Sequence, residues 1–422
     1  MYASQFVFKT KKEDPADEFS RGAKLLVRAG FVEKNFSGVY TYLPLGFRVL
    51  QNIAALLRKE MDQIGGQEML MPALTPKAIW ETSERWKILS DIMYTLKDRQ
   101  DRTISLAPTH EDVISALLSR HLTSNDALPF YLYQIQDKFR DEPRAKSGLM
   151  RTREFFMKDL YSFHESAEDL ARFYEIVKEC YMHIFAACAL NAYVTKASGG
   201  TFSNEHSHEF MVESSAGEDR VFVCDQCHFA ENIEVRVEAS THECPECSRA
   251  DLREIKAVEV GNIFKLGTKF SEAFGLYHHA QNGDNSPVVM GSYGIGLGRV
   301  MGTIADVNSD EYGLIWPMAL APFQVYLISL FKAGDNSSEG AVLAHTLYKD
   351  LQKAGLEVLC DDRDKSPGEK FGDADLLGIP YRVVISEKTL ATQSVEVKDR
   401  AQGNITLIPA HDLVRFLISK RI

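Results

Sequence analysis

Seven basic side chains lie close together in residues 138–158, a segment that contains only three acidic ones. Arg140 and Arg151 stand out, because the flanking pattern predicts an antiparallel hairpin that brings their guanidinium groups face to face. Paired guanidinium groups bind phosphate oxygens through parallel hydrogen bonds, and Phe155 on the returning strand could stack on a base. The segment therefore predicts a nucleotide site, and a solvated basic hairpin is the alternative with the same charges.

A second segment, residues 291–299, has glycine at several alternate positions and is followed by a predicted helix from Val300. Alternate glycines leave one face of a strand bare, so a ligand can lie against the backbone with Arg299 beside it. The dinucleotide-binding fingerprint Gly-x-Gly-x-x-Gly is not met, because Arg299 occupies the place of its third glycine. Alone, the segment indicates either a ligand-binding strand or a tightly packed one.

Four of the seven cysteines form two Cys-x-x-Cys pairs that are separated by 16 residues. This spacing is typical of a four-thiolate zinc ribbon, which leaves no open coordination position and is therefore structural. Free cysteines are the alternative, and His228 and His242 are spare ligands. The predicted zinc ligands are Cys224, Cys227, Cys244 and Cys247.

The net charge of −11 results from 48 Lys and Arg against 59 Asp and Glu, the wrong sign for a protein that coats DNA or an anionic membrane. Most of the excess is local, because residues 201–259 contain 14 acidic and 5 basic side chains. The part from Ala321 onward is nearly neutral, with 13 basic and 14 acidic side chains. A polyanion would therefore be met by local basic faces such as residues 138–158.

The chain has no stretch of about 18 apolar residues, so we expect no spanning helix. Its first 20 residues mix lysines with acids, unlike a signal or transit peptide. Two Cys-x-x-Cys pairs in a large chain favour metal binding in a reducing compartment. We expect a cytoplasmic protein without a membrane partner.

A length of 422 residues suggests two or three domains, and the pattern changes between Pro317 and Pro322. Before that point, long helices alternate with long strands. After it, strands and helices alternate in a compact unit, which predicts a largely parallel sheet. The predicted strands are 67–72, 130–140, 151–157, 323–331, 356–360 and 381–386, and the predicted helices include 49–61, 165–191, 338–354 and 369–377.

Together these segments resemble class II aminoacyl-tRNA synthetases. Residues 139–142 with 151–155 are similar to motif 2, residues 291–299 to motif 3, and residues 40–46 to motif 1. Within the class, the chain resembles the prolyl-tRNA synthetases from about residue 19 to its end. The segments that carry this closer resemblance are 106–111, 139–142, 151–155, 207–210, 291–299, 361–363 and 378–380.

The resemblance implies an α+β catalytic domain at 1–318, with a mixed, mainly antiparallel sheet flanked by helices. A short Cys-rich insert similar to a zinc ribbon would occupy 218–256, and a C-terminal α/β anticodon-binding domain 319–422. The three motifs would lie at about 40–72, 130–160 and 288–305.

The activity that the resemblance implies is proline–tRNA ligation. L-Proline and ATP would form prolyl-AMP and pyrophosphate, and the prolyl group would then pass to the 3′ end of tRNA(Pro). Mg²⁺ would accompany ATP, and the protein would be a homodimer through the motif 1 region, with no DNA partner. Only a short segment separates Phe210 from Glu259, so we expect no cis-editing domain.

The resemblance also implies roles for individual residues. Arg140 and Arg299 would be catalytic, because cations must stabilise charge on the leaving pyrophosphate. The ATP-binding residues would be Arg140, Glu142, Arg151, Phe155 and Arg299. The proline-binding residues would be Thr109, Glu111, Arg140, Met157, His208 and Ser292.

Local interpretations compete at some of these positions. Thr109 and Glu111 alone could be a helix N-cap with an acid in the first turn, and His208 alone could be a structural histidine. The sequence also departs from its relatives, with Ser203 and Asn204 where Gly-Gly is usual and Ser292 where many have cysteine. A threonyl-tRNA synthetase, a non-catalytic synthetase-like regulator and a zinc-ribbon RNA-binding module remain as alternatives.

Overall fold

Two β-sheets from different parts of the sequence organise the chain. The computed structural model describes residues 1–122, 128–200, 206–236, 243–249, 251–279, 285–331 and 337–420. Its helices are α1 (Arg21–Arg28), α2 (Pro44–Gln63), α3 (Lys77–Thr82), α4 (Arg85–Leu89), α5 (Glu111–Leu118), α6 (Ala167–Ala187), α7 (Lys269–Phe274), α8 (Leu297–Val307), α9 (Glu339–Lys353), α10 (Pro367–Leu377), α11 (Glu387–Leu390) and α12 (Leu413–Ser419).

The strands up to residue 296 and those from residue 325 onward form separate sheets. They are β1 (Val32–Phe36), β2 (Val39–Tyr42), β3 (Gly66–Glu68), β4 (Leu74–Pro76), β5 (Thr95–Lys97), β6 (Thr103–Leu106), β7 (Phe130–Phe139), β8 (Glu154–His164), β9 (Ala192–Ala197), β10 (Ser207–Glu213), β11 (Asp219–Val223), β12 (Ala230–Asn232), β13 (Arg253–Gly267), β14 (Tyr277–His279), β15 (Asn285–Pro287), β16 (Val289–Gly296), β17 (Val325–Ser329), β18 (Val358–Asp361), β19 (Tyr381–Ile385), β20 (Ser394–Asp399) and β21 (Ile405–Pro409).

The larger sheet has nine strands in the order β10, β9, β12, β11, β13, β16, β8, β7, β3. Its centre is antiparallel, because β7 pairs with β8, β8 with β16 and β16 with β13 in that sense. β3 pairs parallel with β7, and β12 pairs parallel with β9. The expected mixed, mainly antiparallel sheet is therefore confirmed.

Helix α6 covers one face of this sheet, and its sequence explains why. Apolar residues recur at helical spacing, and Phe173, Tyr174, Val177, Tyr181 and Phe185 are all buried in one core with residues of β10, β13 and β16. The side chain of the residue before the helix caps its first turn by accepting a hydrogen bond from a backbone N–H. The helix therefore presents a continuous apolar stripe to the back of the sheet.

The returning strand of the β7 and β8 hairpin differs from its predicted bounds at both ends. The returning strand begins at Glu154 rather than 151 and continues to His164. Residues 158–164 are buried without interruption, so the alternation that marks a half-exposed strand is missing there. The backbone N–H of Arg153 donates to the carbonyl of Gly38, which explains why the ladder starts later. The strand expected at 67–72 is also shorter, since it is β3 alone.

The smaller sheet has five strands in the order β18, β17, β19, β20, β21. β17 pairs parallel with β18 and β19, as the alternation of strands and helices predicted. β20 and β21 extend the sheet in the antiparallel sense, so only part of it is parallel. One face of this sheet packs its own core, which includes Val325, Leu327 and Val383. The other face, which includes Tyr326 and Ile328, is part of the core of the larger sheet.

No helix in the described ranges is both long and apolar enough to cross a membrane.

Candidate active site

A cavity of about 240 Å³ lies against β8, β13 and β16 on the face of the larger sheet away from α6. A second cavity of about 290 Å³ adjoins it, since both are lined by Arg140, Met150, Glu259 and Arg299. The predicted site residues that line the first cavity are Thr109, Glu111, Arg140, Phe155, Met157, Ser292 and Arg299. The second cavity adds Glu142 and Arg151.

The carboxylate of Glu111 lies at the start of α5, at the end of the first cavity that we call the imino end. Thr109 Oγ1 donates to its Oε2 at 2.5 Å, and Ser292 Oγ donates to its Oε1 at 3.1 Å. Arg85 NH1 lies 3.2 Å from the same Oε2. The N-cap residue of α5 is His110 rather than Thr109, whereas Glu111 is an acid of the first turn as the N-cap interpretation expected.

Beneath the imino end, Asp159 is the centre of a buried hydrogen-bond network. It accepts from Lys138 Nζ at 2.8 Å, and from Gln134 and Tyr161, each at 2.9 Å. Burial works against its ionisation, but Lys138 and the neighbouring donors hold the pKa of Asp159 below its usual value. The network supports the wall of the cavity, because Asp159 and Tyr161 both line it.

The glycine-rich strand β16 presents a bare face to the cavity, as its sequence predicted. Ser292, Gly294 and Gly296 line the cavity, whereas Tyr293 and Ile295 point into the core with α6. A Cβ atom at Gly294 would lie 3.6 Å from Met157 Sδ, so a side chain there would narrow the space beside that methionine.

Arg140 and Arg299 line both cavities, and we call the second cavity together with these two arginines the phosphate end. Arg140 Nε donates to the carbonyl of Pro108 at 3.2 Å, and its guanidinium carbon lies 5.3 Å from the ring centroid of Phe155. Arg299 donates to the carbonyl of Met150 at 2.8 Å and to the carboxylate of Glu259 at 3.2 Å. Burial and the proximity of Arg299 lower the pKa of Arg140.

Arg151 extends the phosphate end and is held by two acids. Its NH1 donates to Glu218 at 2.5 Å, and its NH2 lies 3.0 Å from Glu142 Oε1. Burial opposes ionisation of Glu142, but hydrogen bonds from the backbone N–H of Arg144 and from Arg151 hold the pKa of Glu142 below its usual value. Arg151 and Arg299 are therefore ion-paired with protein carboxylates in this structure.

The structure corrects the picture of residues 138–158 as one basic face. Lys138 and Lys158 are fully buried, the first paired with Asp159. Lys158 lies on the α6 side, where it donates to Tyr181 Oη and to the carbonyl of Tyr293, and burial lowers its pKa to about 7. The exposed positive charge of the hairpin is therefore smaller than the sequence count.

His208 is the predicted site residue that is not among the described lining of either cavity. It lies opposite Ile263 in the ladder, its Nδ1 is 2.8 Å from Tyr174 Oη of α6, and burial lowers its pKa to about 4. The next residue, Glu209, has the opposite orientation and accepts from Asn262, which does line the first cavity. Strand alternation thus directs His208 away from the cavity.

The four cysteines of the two Cys-x-x-Cys pairs come together beyond the end of β11. All four sulfur atoms lie within 4.8 Å of one another, with Cys224 3.7 Å from Cys247 and Cys227 3.5 Å from Cys244. Tetrahedral zinc with Zn–S bonds of about 2.3 Å requires sulfurs about 3.8 Å apart, so the cluster fits the ion. His228 is not part of it, and His242, Ser203 and Asn204 lie outside the described residues.

Sequence reasoning missed several residues that shape the site. Arg85, Asp159 and Glu218 each contact a predicted site residue or line a cavity. Arg85 belongs to a five-residue helix, too short for a periodic signal. Asp159 could have been suspected, because an isolated acid within the buried strand β8 needs a partner.

Two known sequence families match the chain. The tRNA synthetase class II core domain (G, H, P, S and T) matches residues 94–308, and the anticodon binding domain matches residues 324–420. Together with the nine-stranded sheet and its cavity, they define a class II aminoacyl-tRNA synthetase. Curated relatives place the chain more closely. It belongs to the proline–tRNA ligase family.

The relatives are similar over nearly their whole length. The proline–tRNA ligase of Methylobacterium radiotolerans is 38% identical over 442 positions, which cover 98% of this chain and 99% of the relative. That of Geobacillus kaustophilus is 33% identical over 562 positions, again covering 98% of each. Because 562 positions exceed the 422 residues of this chain, the second relative has segments without a counterpart here.

Solved structures share the fold at lower identity. The prolyl-tRNA synthetase of Cryptosporidium parvum complexed with L-proline and AMP has a TM-score of 0.79 and 19% identity, covering 98% of this chain and 78% of that one. The same enzyme complexed with halofuginone and AMPPNP has a TM-score of 0.78, also at 19% identity.

Proposed function

We propose that this ligase activates L-proline with ATP and transfers the prolyl group to the 3′ end of tRNA(Pro). The observation that carries the proposal is the polarity of the cavity. A buried carboxylate, Glu111, with two hydroxyl groups lies at one end, and three arginines lie at the other. Such a site matches an amino acid bound beside a nucleoside triphosphate.

At the imino end, Glu111 and Thr109 would bind the secondary ammonium of proline. That group has two N–H donors and one positive charge, so a carboxylate beside a hydroxyl oxygen is complementary to it. Met157 and the bare backbone of Gly294 form an apolar wall suited to the ring. Ser292 would border the same pocket. His208 is not included, because its ring faces α6.

At the phosphate end, the residues would act by electrostatics rather than by proton transfer. The proline carboxylate is already a nucleophile: its oxygen forms a bond to the α-phosphorus of ATP while the bond to the pyrophosphate oxygen breaks. Arg140 would hold the substrate carboxylate and the α-phosphate, and Arg299 the γ-phosphate. Arg151 and Glu142 would orient the nucleotide, and Phe155 would stack on adenine.

Mg²⁺ would bind with ATP at the second cavity. Asp219 and Glu259 line this cavity, and carboxylate oxygens are the ligands that Mg²⁺ prefers. Burial and the proximity of Glu259 raise the pKa of Asp219 to about 6, which a cation there would reverse. The ion supplies charge neutralisation on the leaving pyrophosphate.

A zinc ion would stabilise the short insert, which we place at residues 218–256. Its four thiolates leave no open position, so the ion would be structural. Between β10 and β13 the described chain contains only β11, β12 and the cysteine cluster. We therefore propose that this chain has no cis-editing domain.

We propose a homodimer that forms through the motif 1 region. Large apolar side chains are exposed on and beside this region, a pattern that marks interfaces. They are Phe36, Phe47, Leu70 and Leu74. We also propose the domain boundaries 1–318 and 319–422, supported by the separate core on one face of the smaller sheet. We propose a cytoplasmic location, where tRNA would be available.

The test is amino-acid-dependent exchange of labelled pyrophosphate into ATP by the full chain. Proline should support exchange, and alanine, cysteine and threonine should support far less. Exchange with threonine instead of proline would indicate the sister synthetase. If none of the amino acids supports exchange, the protein would be a non-catalytic regulator. Aminoacylation of tRNA(Pro) with labelled proline then tests the second step.

A further inference from the structure

Arg85 is a buried cation that none of the roles above uses. It is 1% exposed, and its guanidinium carbon lies 5.2 Å from the ring centroid of Phe270 and 5.9 Å from that of Trp80. Burying a guanidinium among aromatic rings costs free energy unless its charge is paired. Its partners therefore indicate what it is for.

Those partners are two carboxylates of α5 with different surroundings. Arg85 NH1 lies 2.5 Å from Asp112 Oδ2 and 3.2 Å from Glu111 Oε2. Asp112 also accepts from Ser83 Oγ and is not among the described residues that line the cavity. Asp112 thus secures Arg85, and Arg85 in turn contacts the one carboxylate of the pair that faces the cavity.

The contact with Arg85 limits the number of hydrogen-bond acceptor positions that Glu111 can offer to a ligand. An ionised carboxylate offers about four acceptor positions. Thr109, Arg85 and Ser292 occupy three of them on Glu111. The hydroxyl group of Thr109 already donates a hydrogen bond to Glu111. The Thr109 oxygen can therefore only accept a hydrogen bond from a ligand. The cavity therefore presents two fixed acceptors, one on Glu111 and one on Thr109.

We propose that Arg85 is a positioning residue, which fixes the carboxylate of Glu111 so that it and Thr109 accept the two N–H groups of the proline ammonium. This proposal rests on the proposed function. Arg85 would be the residue that gives the imino end of the cavity a defined geometry. Arg85 does not touch the substrate and acts through Glu111.

The test uses the double variant Arg85→Gln/Asp112→Asn, which removes the guanidinium together with its structural counter-ion and so leaves no unpaired charge at Asp112. Arg85→Lys is the conservative variant, and Lys87→Gln, an exposed change on the same helix, is the control. Pyrophosphate exchange gives KM for proline and for ATP. Tetrahydrofuran-2-carboxylate, a ring with oxygen in place of N–H, is tested as a competitive inhibitor.

In the double variant, KM for proline should rise about tenfold or more, since a hydrogen bond to a charged group is lost. KM for ATP and the inhibition constant of the oxygen analogue should change less than about twofold. Arg85→Lys should recover part of the loss, and Lys87→Gln should match the wild type.

Two results would overturn the positioning role: an unchanged KM for proline, or equal weakening of proline and the oxygen analogue, which would indicate general damage to the pocket. If the double variant does not fold, the same two criteria apply to Arg85→Lys. Wild-type protein without proline-dependent exchange would instead refute the proposed function, so the two failures are distinguishable.

Discussion

The two ends of the active-site cavity differ in how deeply their charged side chains are buried and in how these side chains are paired. At the imino end, Glu111 and its partners are almost completely buried and already hydrogen-bonded to one another. At the phosphate end, Arg151 and Arg299 are partly exposed and paired with Glu218 and Glu259. The Glu111 end is already hydrogen-bonded without a ligand, whereas Arg151 and Arg299 would have to exchange their carboxylate partners to bind the proposed triphosphate.

The difference follows from what each end would recognise. A small monocation is distinguished from similar molecules by a few fixed hydrogen bonds in a dry site, where an unpaired group is costly. A triphosphate has many oxygens and high charge, so exposed and exchangeable arginines are sufficient to bind it. The imino end should therefore control specificity, and the phosphate end should control ATP affinity and rate.

The largest effect should come from Arg140→Ala, because Arg140 lines both cavities. Loss of one preorganised cation at the reacting centre should lower exchange by about 10³-fold or more. Pyrophosphate exchange measures it. Arg144→Ala, an exposed change in the same loop, is the matched control, and comparable activity of the two variants would contradict the role of Arg140.

Glu111→Gln should separate the ends most clearly. It keeps an acceptor oxygen but removes the charge that the proline ammonium requires, so KM for proline should rise about tenfold to a hundredfold. KM for ATP should remain close to the wild-type value. Arg151→Gln should show the reverse pattern, and equal changes in both constants for both variants would show that the ends are not independent.

Removing the zinc site should weaken the phosphate end and spare the imino end. Cys224→Ser should abolish zinc binding, and the segment that carries Glu218 and Asp219 should lose its order. We expect KM for ATP to rise about tenfold, equivalent to about 1.4 kcal/mol. Metal analysis and kinetics measure both effects. Cys360→Ser, in the smaller sheet, is the control that should keep its zinc.

The buried carboxyl group of Glu209 should make the unfolding temperature of the protein depend on pH. Burial and Glu259 raise the pKa of Glu209 to about 8, above the usual value of about 4.3. Its contribution to stability is therefore complete below about pH 4 and lost as the pH rises through about 8. The unfolding temperature of the wild type should fall by about 2–4 °C more than that of Glu209→Gln between pH 5 and 8.5.

Comparing the wild type with Glu209→Gln separates the effect of Glu209 on stability from that of Lys158. Burial lowers the pKa of Lys158 to about 7, so its contribution is lost as the pH falls through that value, the opposite direction. Parallel melting curves for the wild type and Glu209→Gln would refute the assignment.

The smallest effect should come from Glu218→Gln, which releases Arg151 from one of its two carboxylate partners. Partly exposed ion pairs contribute up to about 1 kcal/mol, so KM for ATP should fall about twofold. The dependence of KM for ATP on salt concentration should also weaken. Glu213→Gln breaks an exposed pair with Arg253 and serves as the control. A rise in KM would instead give Glu218 a direct role with the nucleotide.

Local patterns predicted much of this site. The hairpin pattern pointed to Arg140 and Phe155, and the glycine-rich strand pointed to Arg299; all three line the first cavity. α6 and the hairpin of β7 and β8 were also recognisable, because their apolar spacing is long and regular. These features depend on neighbours within a few residues, which a single sequence contains.

The errors arose where orientation depended on distant partners. Whether His208 or Glu209 faces the cavity depends on the register between β10 and β13, which shifts between Phe210 and Met211. Lys138 and Lys158 are basic in any count of charge, but only the assembled sheet shows that they are buried. A two-residue period predicts alternation and does not predict which face becomes the inside.

By itself, the sequence determined the class of protein, the motifs and the four cysteines of the insert, because each is a matter of residue type at short spacing. Tertiary structure decided which motif residues meet, that Arg85 contacts Glu111 across 26 positions of chain, and that Arg151 and Arg299 are paired with acids. These contacts join separate elements. Their geometry follows from packing and strand register, which no local pattern contains.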